Sequence, residues 1–288
     1  MLSGRTNFNQ PGEQRQMSKV IFITGASKGF GRQWAETALK QGNQVVAAVR
    51  QPESLAELVE QFGSAILPVK LDVTNRTACF EAVAMAKARF GRIDVLISNA
   101  GYGHFGFLEE VTEAEARAQI ETNLFGSLWI IQAVLPTMRH QKAGHIIQVS
   151  SIGGVIAFPN LGIYHASKWA VEGMCESLSQ EVSDFGISVT LVEPGPYTTD
   201  WAQGSAVRSQ SISDYDAIRA EFKAKTQQFD RGAPEATGDA IMQLIALKNP
   251  PLRLMLGRMA WNVIEPAYKA RLQTWSEWLD LAHAAHGN

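Results

Sequence analysis

Short runs of almost unbroken apolar residues recur along the chain, most of them closed by a glycine, asparagine, serine or aspartate. Between them lie longer stretches whose apolar positions repeat at helical spacing. The runs predict strands over 19–24, 44–49, 65–71, 93–98, 144–149, 187–192 and 252–256. Val20-Ile21-Phe22-Ile23 has no polar alternation, as expected of a parallel strand covered on both faces. The periodic stretches predict helices after the glycine turn 25–31, over 53–61, from about Asn75, over 112–140, over 161–178, around 214–228, from Pro234, and over 258–286. Strands and helices alternating in this way imply an α/β fold, a doubly wound parallel sheet of the Rossmann type.

The chain of 288 residues is long enough for one such domain. We expect it to span 18–257, with a substrate lid over about 196–232, a flexible N-terminal extension at 1–17 and a helical tail at 258–288 carrying Trp261, Trp275 and Trp278. A hydrophobic fraction of 45% and a charged fraction of 19% are ordinary for a globular protein. The net charge of -2 leaves no electrostatic footprint for nucleic acid. No apolar run is long enough to span a bilayer, and the first residues lack the apolar centre of a secretory signal, so no membrane partner is expected. Cys79 and Cys175 make no disulfide framework and read as small buried hydrophobes of a cytoplasmic protein. The histidines are not combined with cysteine or carboxylates at ligand spacing, which argues against a metal site. No nucleophile elbow surrounds Ser150 or Ser151, which argues against a serine hydrolase.

Three features carry chemistry. Tyr164 and Lys168 stand four residues apart on a predicted helix, one turn from each other on one face, so an ammonium can favour ionisation of the phenol. Thr24-Gly25 is followed by Gly29 and Gly31 between a strand and a helix. Glycines there let the backbone approach a pyrophosphate, whose charge suits the helix N-terminus, although such a turn can also be structural punctuation alone. Ser150 and Ser151 end the strand 144–149, and successive strand residues point to opposite faces, so only one of them can face a site at that edge.

Together with Asn123 and the triplet Asn99-Ala100-Gly101, these motifs resemble the short-chain dehydrogenase/reductase family over roughly 19–257. The segment Pro251-Leu-Arg-Leu-Met-Leu-Gly257 resembles a subgroup with hydroxysteroid and retinol dehydrogenase relatives. The resemblance implies a catalytic set of Asn123, Ser151, Tyr164 and Lys168, with Asn123 opening a kink in its helix and holding a water in a proton relay. It implies a cofactor site formed by Gly25, Ser27, Lys28, Gly29, Phe30, Gly31, Arg50, Asp72, Val73, Asn99, Ala100, Gly101, Tyr164, Lys168, Pro194, Gly195, Tyr197 and Thr198. Tyr197 replaces the family's usual aliphatic residue between Pro194-Gly195 and the threonine that reaches the nicotinamide. Asp72 would face the adenine; Asp72 or Thr74 could equally cap the following helix.

No carboxylate ends the strand 44–49, where one would accept from the adenosine ribose; Arg50 and Lys28 bring two positive charges instead, which points to NADP(H) over NAD(H). The expected activity is the interconversion of a ketone or aldehyde and an alcohol, with a cation such as Lys168 lowering the Tyr164 phenol by roughly one to three units. Tyr102, Phe105, Phe158, Leu161, Tyr197 and Trp201 follow the strand ends and suggest a bulky apolar small-molecule substrate. A non-catalytic NADPH-sensing regulator is the alternative, against which the complete catalytic set counts. The helices over 112–140 and 161–184 are the expected interface of a homodimer or homotetramer.

Overall fold

A computed structural model describes residues 18–199 and 201–287; the extension expected over 1–17 lies outside the described residues. Seven strands, β1 (Val20–Thr24), β2 (Gln44–Val49), β3 (Ile66–Lys70), β4 (Val95–Ser98), β6 (Gly144–Val149), β7 (Ile187–Pro194) and β9 (Arg253–Leu256), form one sheet in the order β3-β2-β1-β4-β6-β7-β9. Every neighbouring pair is parallel. The strands coincide with the apolar runs, differing only at their ends. β5 (His104–Phe105) and β8 (Val207–Arg208) make a separate two-stranded ribbon.

Alternation along the strands builds two cores. On one face Val20 and Phe22 of β1 meet Val46, Leu96 and Ile146 beneath α3 (Arg76–Phe90), α5 (Gly126–Gln141) and α6 (Gly162–Glu181). On the other, Ile21 and Ile23 meet Val45, Ile97 and Ile147 beneath α1 (Gly29–Lys40), α2 (Ala56–Phe62) and α8 (Thr237–Ala246), with Trp34 fully buried. A sheet buried on both sides has no need of polar alternation, which is why its strands read as unbroken apolar runs.

Local chemistry sets several boundaries. Asn75, rather than Asp72 or Thr74, caps α3 by accepting from the Ala78 N–H. Asp72 instead accepts the N–H and hydroxyl of Thr74, at 3.0 and 2.8 Å. Thr112 and Glu115 form a reciprocal capping box at the start of α4 (Glu113–Ile120). The helix expected over 112–140, with a kink at Asn123, is interrupted there by a π-helical turn at Glu121–Phe125. Insertions of this kind are frequent at functional sites.

After β7 the segment expected to form a lid folds as a π-turn at Trp201–Ser205, β8 and α7 (Asp216–Gln227). The tail forms α9 (Arg258–Glu277) and α10 (Leu279–Ala284). Ala260 and Ile264 of α9 pack on Ile152, Val155 and Ile156, whereas Trp261, Trp275 and Trp278 are exposed. Among the described residues no helix is long and apolar enough to cross a membrane.

Candidate active site

The strand order reverses between β1 and β4, and a crevice opens above their carboxyl ends, where ligands gather in sheets of this kind. A cleft of about 770 Å³ runs from the glycine turn after β1, past the ends of β2, β4 and β6, to the lid.

The turn is built for close approach. Gly25 has φ +69° and Gly29 φ +56°, in the left-handed region that glycine enters freely. A Cβ on Gly31 would come within 2.6 Å of the Asn99 amide nitrogen, whereas nothing stands within 4 Å of one on Gly29. Asn99 donates to the Thr24 and Gly25 carbonyls, and the Thr24 hydroxyl accepts from the Asn99 and Ala100 N–H groups. These bonds tie the end of β4 to the end of β1. The first turn of α1 has neither a side-chain cap nor a carboxylate. Its amides and the positive end of the helix dipole are therefore available to an anion, and this cradle fits the pyrophosphate of a dinucleotide.

Gly25, Ser27, Lys28, Gly29, Phe30, Arg50, Asp72, Val73, Asn99, Ala100, Gly101, Pro194, Gly195 and Tyr197 all line the cleft, as do Ser151, Tyr164 and Lys168. Gly31 lies beneath the turn. Thr198 is exposed, and Thr199 takes the lining position. The physical reason is the ring of Tyr197, packed edge-on against Phe30 at 5.0 Å and against Gly232, while the Thr198 N–H bonds the Gly232 carbonyl. Beyond β2 the cleft adjoins a second cavity lined by Ser27, Lys28, Arg50, Glu53, Ser54 and Lys70, so three cations face one carboxylate. Sequence reading missed Lys70, which parallel register sets beside Val49 at the end of β2.

Helix α6 carries Tyr164 and Lys168 into the deepest part of the cleft, where both are buried. Ser151 lies against the phenol, and its Oγ accepts from the Gly153 N–H at 3.0 Å. Burial pushes the phenol up to about 12, opposed by the hydrogen bond with Ser151. Loss of solvent is the dominant influence on the phenol in this structure. The Lys168 Nζ sits 5.9 Å from the ring centroid and donates to the Val149 carbonyl at 2.9 Å. Burial brings this ammonium down to about 8, with Glu172 pulling it back up.

Asn123 stands behind the cleft rather than on its wall. Its amide nitrogen donates to the Tyr102 carbonyl and the Ser167 hydroxyl, each at 3.0 Å, and its oxygen accepts from the Tyr102 N–H. Ser167 donates in turn to the Tyr164 carbonyl at 2.7 Å. Asn123 thus braces the turn of α6 that presents the phenol.

At the lid end the wall is aromatic. Tyr102, Phe105, Phe158, Leu161, Tyr197 and Trp201 line it as expected, joined by Phe222 and Phe229 from the lid. Trp201 lies edge-on to Tyr164, centroids 5.2 Å apart. His165 accepts from the Phe158 N–H at 2.9 Å and bonds the Gly153 carbonyl at 2.8 Å, fixing the loop that holds Phe158. Burial lowers this imidazole and keeps it neutral.

Comparison with known proteins agrees with this arrangement. The family model for short chain dehydrogenases matches residues 19–209. Oxidoreductase BOA17 of Botryotinia fuckeliana is 40% identical over 93% of this chain and 100% of its own length. The 3-ketodihydrosphingosine reductase of Bacteroides thetaiotaomicron is 40% identical over 83% of this chain and 88% of its own. A short-chain dehydrogenase from Streptomyces avermitilis superposes with a TM-score of 0.88 at 33% identity, covering 94% of this chain and 99% of that one. Short-chain dehydrogenases from Burkholderia cenocepacia in complex with NADP (TM-score 0.73, 28% identity, 91% and 98% coverage) and from Burkholderia phymatum in complex with NAD (0.74, 25%, 92% and 95%) share the fold.

A doubly wound sheet with a dinucleotide cradle beside a buried tyrosine and lysine defines a nicotinamide-dependent oxidoreductase. The chain belongs to the short-chain dehydrogenase family.

Proposed function

We propose that the protein is an NADP(H)-dependent reductase that converts a bulky apolar ketone or aldehyde to the alcohol, with Tyr164 as the acid. The observation that carries this reading is a shared cleft holding the glycine cradle, the Tyr164 and Ser151 hydroxyls in contact, and the Lys168 ammonium. A bound dihydronicotinamide supplies the hydride. Ser151 donates to the carbonyl oxygen and holds it beside Tyr164, which gives its proton to the oxygen as negative charge develops there. A phenol held protonated by burial is in the form that reduction requires. Lys168 compensates charge on the phenolate and binds the ribose, while Asn123 holds the helical turn between them and supports a water path to solvent.

The preference for NADP(H) is supported by Lys28, Arg50 and Lys70 around a cavity next to the adenosine end, where β2 ends without a carboxylate. The aromatic wall supports an apolar substrate, as do the resemblance to hydroxysteroid and retinol dehydrogenases and the relative named a 3-ketodihydrosphingosine reductase. Free, buried Cys79 and Cys175 support a reducing, cytoplasmic setting. Exposed Phe125 and Trp169, beside or on the long helices α5 and α6, support a homodimer or homotetramer.

The test is cofactor oxidation with NADPH and NADH across a panel of ketones of increasing apolar bulk. We expect NADPH consumption on the bulky members and its loss in Tyr164→Phe with NADPH binding retained. Normal turnover by that variant refutes the assignment of Tyr164.

A further inference from the structure

Behind Lys168, on the side away from the cleft, lies a cluster of charges that the proposed chemistry does not use. Glu172 is one helical turn beyond Lys168 on α6, and its side chain is 6% exposed. Glu193 enters from β7 with its side chain completely inaccessible. Arg253 enters from the edge strand β9, where parallel register sets it beside Leu191, two residues from Glu193 on the same face of β7. Its Nε lies 3.3 Å from Glu172 and 3.4 Å from Glu193, and its Nη2 donates to Glu176 at 2.8 Å. Ser150 points to the same place: a Cβ on Gly154 would come within 2.5 Å of its Oγ and 3.1 Å of Glu172 Oε1. Neither carboxylate makes a hydrogen bond of good geometry; Arg253 meets both as an ion pair, and the Ser150 hydroxyl lies against Glu172.

Two buried carboxylates on one half-exposed guanidinium are expensive, and a fold that needed only packing would be better served by apolar residues. The arrangement has an evident electrostatic use. Lys168 is buried, faces Tyr164 on its own helix, the Asn123 turn and the Val149 carbonyl, and makes no salt bridge among the described residues. Glu172 is the charge that offsets its desolvation. Glu172 in turn faces Lys168, Cys175 and Glu176 on α6, Glu193 on β7 and Arg253 on β9. Burial favours its neutral form; the Ser150 hydroxyl and then Arg253 oppose this.

We propose that Glu172, kept ionised by Ser150 and Arg253, is a positioning residue that holds Lys168 in its cationic form and so sets the alkaline limit of turnover. The inference rests on the reading of Tyr164 and Lys168 given above. Glu172 does not touch the reacting atoms; it acts through the ammonium.

The test is the pH dependence of kcat and of kcat/KM for NADPH-linked reduction. Removing the Glu172 charge makes Lys168 easier to deprotonate, so Glu172→Gln should move the alkaline limb down by about one pH unit. Its KM for NADPH measured at pH 6 should stay near that of the wild type. Glu172→Asp, with its charge withdrawn by one methylene, should shift the limb less in the same direction, and it carries the test if the glutamine variant does not fold. Glu193→Gln removes a carboxylate from the same cluster but not the one acting on Lys168, and should leave the limb in place or move it up. An unshifted limb in the Glu172 variants overturns the inference, and so does an equal downward shift in all three. Tyr164→Phe, assayed in parallel, separates the two readings. Its continued turnover would refute the assignment of the acid, whereas an inactive Tyr164→Phe beside an unshifted Glu172→Gln would refute this inference alone.

Discussion

Glu110 and Arg219 form an ion pair that fastens α7 to the segment between β5 and α4. The Glu110 carboxylate is inaccessible just beneath the lid, where it also accepts from the Phe107 N–H at 2.9 Å and the Ile212 N–H at 2.8 Å. Arg219 comes from α7, lies 5.0 Å above the Phe107 ring and reaches Asn160 at 3.4 Å. Bonding to Arg219 holds Glu110 down at about 2. Its folded value is below the unfolded one, so the stabilisation is present above the ordinary carboxylate range and is lost as pH falls through about 2. Arg219→Met should cost about 1–3 kcal/mol, discounted because Arg219 is partly exposed, and should loosen Phe222 and Phe229 over the cleft. Steady-state kinetics with a bulky ketone should show KM raised severalfold with a smaller change in kcat. A fall confined to kcat would mean that the pair does not control access.

Arg50 is exposed at the junction of the cleft and the adjoining cavity that Lys28, Lys70 and Glu53 also line. Losing one charge-assisted contact to a phosphate costs roughly 1.5–3 kcal/mol, or about 10- to 100-fold in affinity. Arg50→Ala should weaken NADPH binding by that factor and leave NADH binding nearly unchanged, as read by titration of cofactor fluorescence. Lys70→Ala should act in the same direction. Equal losses for both cofactors would remove Arg50 from phosphate recognition.

Lys168 sits near 8 because it is buried. In the wild-type enzyme the pH profile of reduction should therefore fall on an alkaline limb near pH 8, where the ammonium loses its proton. Lys168→Met should abolish that limb and lower kcat by orders of magnitude. A limb near pH 10 would place the ammonium in contact with solvent.

Glu193 is pushed up to about 7 by burial, with the Glu172 charge adding to the effect. Between the ordinary value of 4.5 and 7 the folded chain keeps a proton that the unfolded chain releases, so stability falls as pH rises through that window. Glu193→Gln removes the loss. Its Tm should match the wild type near pH 4.5 and exceed it by a few degrees at pH 8, corresponding to on the order of 2–3 kcal/mol. No difference between the two pH values would mean that Glu193 is charged in the fold.

Much of the site was legible because it is local in sequence. The turn with Gly25, Gly29 and Gly31, the strand end at Ser150-Ser151 and the turn of helix separating Tyr164 from Lys168 each lie within a few residues, where spacing fixes geometry. Side-chain partners across the chain were not legible. Thr198 lies off the cleft wall because the Tyr197 ring packs on Phe30 and Gly232, and the cap of α3 proved to be Asn75, as Asp72 was engaged by Thr74. The β5–β8 ribbon joins two-residue strands too short to leave a periodic signal.

The sequence by itself determined the alternation of buried strands and amphipathic helices, and with it the parallel sheet, because apolar periodicity registers burial residue by residue. It also determined which residues could bear chemistry, since a phenol, an amine and a glycine turn are properties of residue type and spacing. Only the tertiary structure decided the charge states. Burial raises Tyr164 where its lysine neighbour alone would lower it, and an Arg253 more than eighty residues away stands behind Lys168 through Glu172 and Glu193. Desolvation depends on everything packed around a group, and that neighbourhood exists only once distant segments of the chain have come together.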